Sequence, residues 1–435
     1  MTATDIHRTI ETVWRIESAK VIAGLGRIVG DVGVAEDLAQ DALLAALERW
    51  PEAGVPDNPG AWLMATAKHR AIDHLRRGKL LDRKHETLGR ELEERQTSPE
   101  AALAEALDDD VGDDLLRLMF VCCHPVLSGE ARVALTLRLL GGLTTAEIAR
   151  AYLVPEPTIA QRIVRAKRTL AEAGVAFEVP RGEDREARLA SVLEVVYLVF
   201  NEGYAATSGD QWVRPTLCEE AMRLGRILAG LAPDEPEVHG LVALMELQAS
   251  RVRARTGSAG EAVLLLDQDR RLWDRLLIRR GLAALERAEA LGGRFGPYAL
   301  QAAIAACHAR ADTPEATDWG RIAALYQVLA HVSPSPVVEL NRAVAVGMAD
   351  GPVPGLAVID ALVDAEPRAL ADYPQLPAVR GDLLAKAGRH DEARREFERA
   401  AARTRNERER AVFLDRAAAC ARTAGNVGGG GRAMT

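Results

Sequence analysis

Residues 143–170 read LTTAEIARAYLVPEPTIAQRIVRAKRTL, and they fit two helices joined by a tight turn. Thr144 or Thr145 can cap the first helix, with Glu147 in its first turn. Ile148, Ala149 and Tyr152 follow, and Leu153-Val154-Pro155 makes the turn. The second helix runs from Pro157 to about Ala171, and proline suits a first helical turn. Ile159, Ile163, Ala166 and Leu170 form its apolar stripe. Thr158, Gln161, Arg162 and Arg165 form another stripe at i, i+3, i+4 and i+7. Arg and Gln make bidentate contacts to base edges in a major groove, and Lys167 and Arg168 suit phosphates. Taken alone, a solvated basic face on an ordinary helical hairpin explains the same pattern.

The wider composition points to an all-α, multi-domain protein. Of the 435 residues 48% are hydrophobic but only 4% aromatic, and apolar residues recur at helical spacing. At ~150 residues per domain the length suggests about three domains. No apolar run approaches the ~18 residues of a membrane span, and MTATDIHRTIETVW lacks the apolar core of a signal peptide. Five scattered cysteines suit a reducing compartment, so a cytoplasmic location is expected. Cys122-Cys123-His124 lacks the paired spacing zinc prefers and reads as small core residues at a helix end.

The formal charge of −8 is unevenly spread. Seven Lys or Arg lie between Lys68 and Lys84, against Asp73 and Asp82. Eleven acids lie between Glu86 and Asp114, against Arg90 and Arg95. Local patches, not totals, decide where phosphate docks. The expected domains are a helical unit at 8–80, an acidic linker at 81–113, a second helical unit at 114–175, a helical extension at 176–422 and a disordered tail at 423–435. Within the extension, RGDLLAKAGRHDEARREFERAA places Gly381, Leu384, Gly388, Ala393, Phe397 and Ala400 at the offsets of a tetratricopeptide helix pair.

Two stretches in the first unit carry further patterns. In AEDLAQDALLAALERW (35–50), Asp37, Gln40, Asp41, Leu44 and Glu48 share one helix face. That face is acidic with a Leu in its midst, which fits either a basic partner helix or plain solvent. The helix should stop at Pro51. In NPGAWLMATAKHRAIDHLRRGK (58–79), a helix runs from about Gly60 to Arg77. Met64, Ala67, Ala71 and Leu75 make its core stripe; Trp62, Thr66, His69, Asp73 and Arg76 lie opposite, flanked by Arg70 and Arg77. An aromatic among cations is a stacking platform for unpaired bases; packing on a neighbouring helix is the alternative for Trp62.

These three stretches, in this order, resemble regions two and four of bacterial RNA polymerase sigma factors of the extracytoplasmic-function group, over residues 8–175. The remainder resembles the subgroup with a long tetratricopeptide-like C-terminal extension, on YLVFNEGY (197–204), LLDQDRRLWD (264–273) and HVSPSPVVELNRAVA (331–345). The resemblance implies that Asp37, Gln40, Asp41, Leu44 and Glu48 bind the clamp helices of the polymerase's largest subunit. It implies that Asn58, Gly60, Trp62, Thr66, His69, Arg70, Asp73, Arg76 and Arg77 capture and melt the −10 element. Thr158, Gln161, Arg162, Arg165, Lys167 and Arg168 would read the −35 element, and the acidic linker would thread toward the RNA exit path. Pro157 stands where many relatives have Gly, and Ala160 replaces a commonly polar position, so the bases read are left open.

The partners implied are core RNA polymerase, promoter DNA, and a protein or ligand for the extension; no membrane, metal or cofactor is expected. Neither a nucleotide-binding Gly-rich loop nor a nucleophile motif is present in the sequence, so the protein is not expected to be an enzyme. A stand-alone helix-turn-helix regulator and a repeat scaffold remain as alternatives. The first does not need the acidic Leu face; the second predicts no salt-sensitive DNA binding.

Overall fold

The computed structural model describes residues 3–86, 111–205, 213–257, 261–365 and 370–429. Among them are eighteen α-helices and no strand, so the protein is all-α. The chain divides into two compact units, residues 1–198 and 199–435, and the division falls inside one helix.

The first unit begins with α1 (Ala3–Val29), α2 (Val32–Ala53) and α3 (Pro59–Glu86), which pack on one another. Asp31 caps α2, its carboxylate accepting from Val34 N at 2.9 Å. Pro51 does not stop this helix; it sits in the last turn, and the end comes at Gly54 (φ +86°). In a final turn proline removes only one donor, so the helix survives it. Helix α3 likewise runs past Arg77, into the stretch expected to be linker. Gly78 alone is a weak breaker among Lys, Leu and Arg, all good helix formers. The rest of the expected linker, 87–110, lies outside the described residues.

Four helices follow: α4 (Val111–Cys122), α5 (Gly129–Leu139), α6 (Thr145–Tyr152) and α7 (Glu156–Glu172). Thr144 is the cap of α6, and with Glu147 it makes a reciprocal capping box. Leu153 then turns the chain in the left-handed region (φ 50°), the one non-glycine residue to do so among those described. That conformation costs a residue with a Cβ roughly 1–2 kcal/mol. Ile148 of α6 and Ile159, Ile163, Ala166 and Leu170 of α7 are buried, as the helical periodicity requires. Cys122 and Cys123 are buried at the end of α4. Burial pushes both thiols up, Cys123 to about 12, which makes them inert core residues.

α1 and α2 also pack against the second set of helices. Gly26 of α1 lies under the Phe177 ring, which an added Cβ would meet at 2.6 Å. Arg27 pairs with Asp114 of α4 at 3.2 Å, and Arg117 reaches the same carboxylate at 2.5 Å. The two helical sets expected as separate modules therefore form one packed unit. Helix α8 (Glu183–Tyr204) contributes Ser191 and Glu194, which both receive Arg132, at 2.5 and 2.9 Å.

The second unit continues from α8 as a run of helices, each packed on its sequence neighbours: α9 (Pro215–Leu231), α10 (Pro236–Ala249), α11 (Arg275–Ala290), α12 (Pro297–Arg310), α13 (Trp319–Val332), α14 (Pro336–Ala349), α15 (Pro352–Ala365), α16 (Gln375–Lys386), α17 (His390–Arg403) and α18 (Glu407–Gly429). Short 3₁₀ turns at Val252–Arg255, Leu265–Asp267 and Arg270–Leu272 interrupt it between α10 and α11. In the α16–α17 pair, Gly381 lets the Phe397 ring approach to 3.1 Å of where a Cβ would stand. Gly388 (φ +77°) makes the turn between the two helices. α18 continues to Gly429, beyond 422, where a disordered tail was expected; residues 430–435 are outside the described set. Each residue added to an existing helix gains a hydrogen bond, so the end is set by where propagation fails rather than by the last packed residue.

Candidate nucleic-acid interface

Helix α2 divides its faces sharply. Val32, Ala35, Leu38, Ala39, Ala42, Ala45, Ala46 and Trp50 are buried. On the other side Asp37 and Glu48 are exposed, Gln40 and Asp41 half-buried, and Leu44 is 55% exposed. Leu44 is one of several large apolar side chains left open among the described residues, as Ile16 and Val164 are; what sets it apart is that Asp37, Asp41 and Glu48 share its helix face.

Between the faces sits Glu36, which the sequence reading did not single out. It is 3% exposed. Its Oε1 accepts from Arg138 Nε and from Gln40 Nε2, both at 2.8 Å. Lys167 of α7 pairs with its other oxygen, and lies 4.0 Å from Asp37. Burial alone would push the Glu36 carboxyl up; the charges and hydrogen bonds of Lys167 and Arg138 outweigh that and hold it below its ordinary value. A Glu amid Ala35, Leu38 and Ala39 was the available sign that a cation must meet it, but not which one.

On α3 the buried stripe is Leu63, Ala67 and Ala71, with Met64 half-buried against Gly24. Leu75, expected in that stripe, is 39% exposed. Asn58 caps the helix, its Oδ1 accepting from Ala61 N at 3.1 Å. Gly60 packs against Glu17, 3.0 Å from where a Cβ would stand. Of the two readings of Trp62, packing on a neighbouring helix is the one this conformation shows. Its ring stands edge-on to Trp50, centroids 5.3 Å apart at 70°, which leaves it half-buried. Thr66 is half-buried; His69, Asp73, Arg76 and Arg77 are exposed, and Arg77 Nε donates to the Asp73 carbonyl at 3.2 Å. Arg70 reaches Asp41 of α2 at 3.2 Å, which joins the two candidate surfaces. Lys68, half-buried, is pulled below its ordinary value by burial and then by Arg27.

On α7, Gln161, Arg165 and Arg168 are exposed and Thr158 is half-buried. Arg168 pairs loosely with Glu172 at 3.6 Å. Arg162 and Lys167 are engaged elsewhere: Arg162 with Glu130 at 2.6 Å, and Lys167 with the Glu36 pair. The stripe offered to a groove in this conformation is thus narrower than the sequence suggests. It consists of Gln161, Arg165 and Arg168, with Arg162 held to one side by an exposed glutamate.

A helix-turn-helix with a cationic outer stripe, packed beside a helical bundle that exposes an acidic Leu-centred face, is the arrangement of a helical DNA-binding protein. Comparison with known families places it further. Sigma-70 region 2 matches residues 17–80, and Sigma-70, region 4 matches residues 117–170. A family of unknown function (DUF6596) matches residues 188–289, in the extension. The chain is 31% identical to the ECF RNA polymerase sigma factor SigL of Mycobacterium tuberculosis (strain ATCC 25618 / H37Rv) over 154 residues, which is 34% of this chain and 81% of that protein. With the ECF RNA polymerase sigma factor SigC of M. tuberculosis (strain CDC 1551 / Oshkosh) it shares 28% over 165 residues, 38% of this chain and 78% of that one. An uncharacterized protein of Rhizobium meliloti (strain 1021) is 46% identical over 396 residues, 91% of this chain and 92% of the relative. The chain belongs to the extracytoplasmic-function sigma factors, which are non-catalytic factors of transcription initiation. Among the described residues no helix is long and apolar enough to cross a membrane.

Proposed function

We propose that the protein recruits core RNA polymerase through α2 and reads two promoter elements through α3 and α7. On this reading Asp37, Gln40, Asp41, Leu44 and Glu48 meet the clamp helices of the polymerase's largest subunit. The region from Asn58 to Arg77 engages the −10 element: His69, Arg70, Arg76 and Arg77 face its phosphates and bases, Thr66 and Asp73 flank them, and Gly60 permits the tight entry to α3. Trp62 takes a base only after leaving Trp50, so it acts late, when the duplex opens. Gln161, Arg165 and Arg168 read the −35 element, joined by Thr158, Arg162 and Lys167 when those side chains are released. The observation that carries the reading is Leu44: exposed, apolar and surrounded by Asp37, Asp41 and Glu48, it is the kind of anchor a basic apolar helix would cover.

The domains follow as proposals: region two at 8–80, a linker at 81–113, region four at 114–175, and at 176–422 a tetratricopeptide-like extension that regulates initiation in place of a separate inhibitor. The α16–α17 pair, with Gly381 against Phe397 and a glycine turn, supports that last assignment. A cut at Arg181 would strip Ser191 and Glu194 from Arg132, so the informative truncation ends after Ala205. In vitro transcription with purified core polymerase, followed by mapping of start sites, tests the whole reading. Specific starts that depend on the protein support it, and no complex with core polymerase refutes it. Duplex binding without polymerase binding would transfer the protein to the stand-alone regulators.

A further inference from the structure

The second unit gathers buried positive charge in one place. Arg251 follows α10 and Arg270 opens the last 3₁₀ turn; they are 9% and 7% exposed. Their guanidinium carbons lie 5.8 and 4.8 Å from the centroid of the Trp273 ring. Arg251 is also 5.8 Å from the Tyr204 ring, and Arg255 stands over the same ring at 3.9 Å. The result is a ladder, Arg255–Tyr204–Arg251–Trp273–Arg270, in which cations alternate with aromatic rings.

Among the described residues no carboxylate pairs with Arg251 or Arg270. Arg270 donates to the His308 carbonyl at 2.7 Å, to the Ala311 carbonyl, and to Thr317 Oγ1 at 3.1 Å. Burial and then the like charge of Arg251 pull Arg270 below its ordinary value, against the opposing charges of Glu315 and Asp312. Nε of Arg251, Nε of Arg270, Nε1 of Trp273 and Nδ1 of His308 are buried and have no hydrogen-bond partner among the described residues. Burial, reinforced by Arg251 and Arg270, lowers His308 to about 3, so its imidazole is neutral and can donate from Nδ1.

Cation–π contacts return part of the cost of burying a guanidinium, yet two such groups flanking one indole without a counter-charge remain an expensive arrangement. An anion placed there would turn the cost into binding energy, since planar guanidinium forks match oxyanions. We propose that the Arg251–Arg270 cluster binds the phosphate or carboxylate group of a small soluble ligand, with Tyr204 and Trp273 as its walls. Nucleic acid is the other polyanion this chain meets, but guanidiniums so deeply buried are out of reach of a phosphodiester backbone. Arg255 is only half-buried and is the member of the ladder nearest solvent. All five ladder residues lie inside the span matched by the family of unknown function, so the proposal gives that span a chemistry.

Isothermal titration of the full chain with inorganic phosphate, and separately with citrate, tests this, each against sodium chloride at matched ionic strength. Saturable binding of phosphate points to a phosphorylated ligand, and of citrate to a carboxylate. Arg251→Met keeps the apolar stem but removes the charge, and should weaken binding by about tenfold or more, the worth of a charge-assisted hydrogen bond. Arg255→Gln should weaken it less. Should Arg251→Met fail to fold, Arg251→Lys takes its place; it keeps the charge without the fork and should still bind more weakly. The proposal is overturned if neither anion binds beyond the chloride control. It is equally overturned if the Arg251 variant binds as the parent does, or if duplex DNA displaces the anion, which would put the binding on the first unit. The readout is binding alone, so its failure would leave the sigma-factor reading untouched.

Discussion

Replacing Glu36 with Gln should loosen the first unit by an amount the structure sets. Its carboxylate is 3% exposed and serves two cations, Arg138 and Lys167. Removing one member of a buried pair costs ~3–5 kcal/mol when the orphaned charge stays dry. Here the orphans keep some access to water, 25% for the Arg138 side chain and 20% for that of Lys167. Partial rehydration brings the expectation down to about 2–3 kcal/mol. For a unit of this size that is a fall of roughly 5–10 °C in melting temperature, measured by scanning calorimetry on the full chain. The sign of the pH dependence is fixed as well. Because Glu36 in the folded protein is held below its ordinary 4.5, its contribution is complete above that value and lost as pH falls through the folded pKa. Parent and variant should therefore differ at neutral pH and converge in acid. A second change, Lys167→Met in the Glu36→Gln background, should recover part of the loss by removing an orphan. A shift under ~0.5 kcal/mol at neutral pH, the size of an ordinary surface change, or a difference that persists unchanged into acid, would refute the buried pair as a tie between α2 and α7.

Other consequences are simpler to check. Leu44→Arg should abolish co-purification with core polymerase while leaving the melting temperature within a degree or two, since Leu44 is mostly exposed; retained binding would remove α2 as the docking surface. Asp41→Arg is the less clean probe, because it also sets two arginines together at the Asp41–Arg70 pair. Arg165→Ala should cost ~1–3 kcal/mol on the cognate −35 sequence and little on others; an equal loss on every sequence would make Arg165 a phosphate contact instead. Arg162→Ala should cost less than Arg165→Ala if Glu130 keeps its claim on that guanidinium, and more if promoter binding releases it. Leu153→Gly should leave stability unchanged or raise it by up to ~1 kcal/mol, because glycine relieves the left-handed strain at φ 50°; a clear loss in urea unfolding would show that the Leu side chain, not its backbone, matters there.

Much of this protein was readable one helix at a time. Ile159, Ile163, Ala166 and Leu170 had to share a face because helical geometry brings every third or fourth residue to the same side, and all four are buried. The same local rule exposed Leu44 among acids and set Glu147 three residues past Thr144, where the two cap each other. Long-range pairings were beyond it. Glu36 meets Arg138 across 102 residues, Trp62 leans on Trp50 rather than toward solvent, and Lys167 is drawn from the recognition helix to α2. Leu75 looked like core because the helical period continued, but period alone cannot say which turns another element covers. Arg270 and Trp273 are near neighbours in the chain, but Tyr204 and Arg251 are distant from them, and only tertiary packing brings all four together. Helix periodicity is set by neighbouring dihedrals; which cation meets which carboxylate, and which ring meets which cation, is set by how finished helices pack.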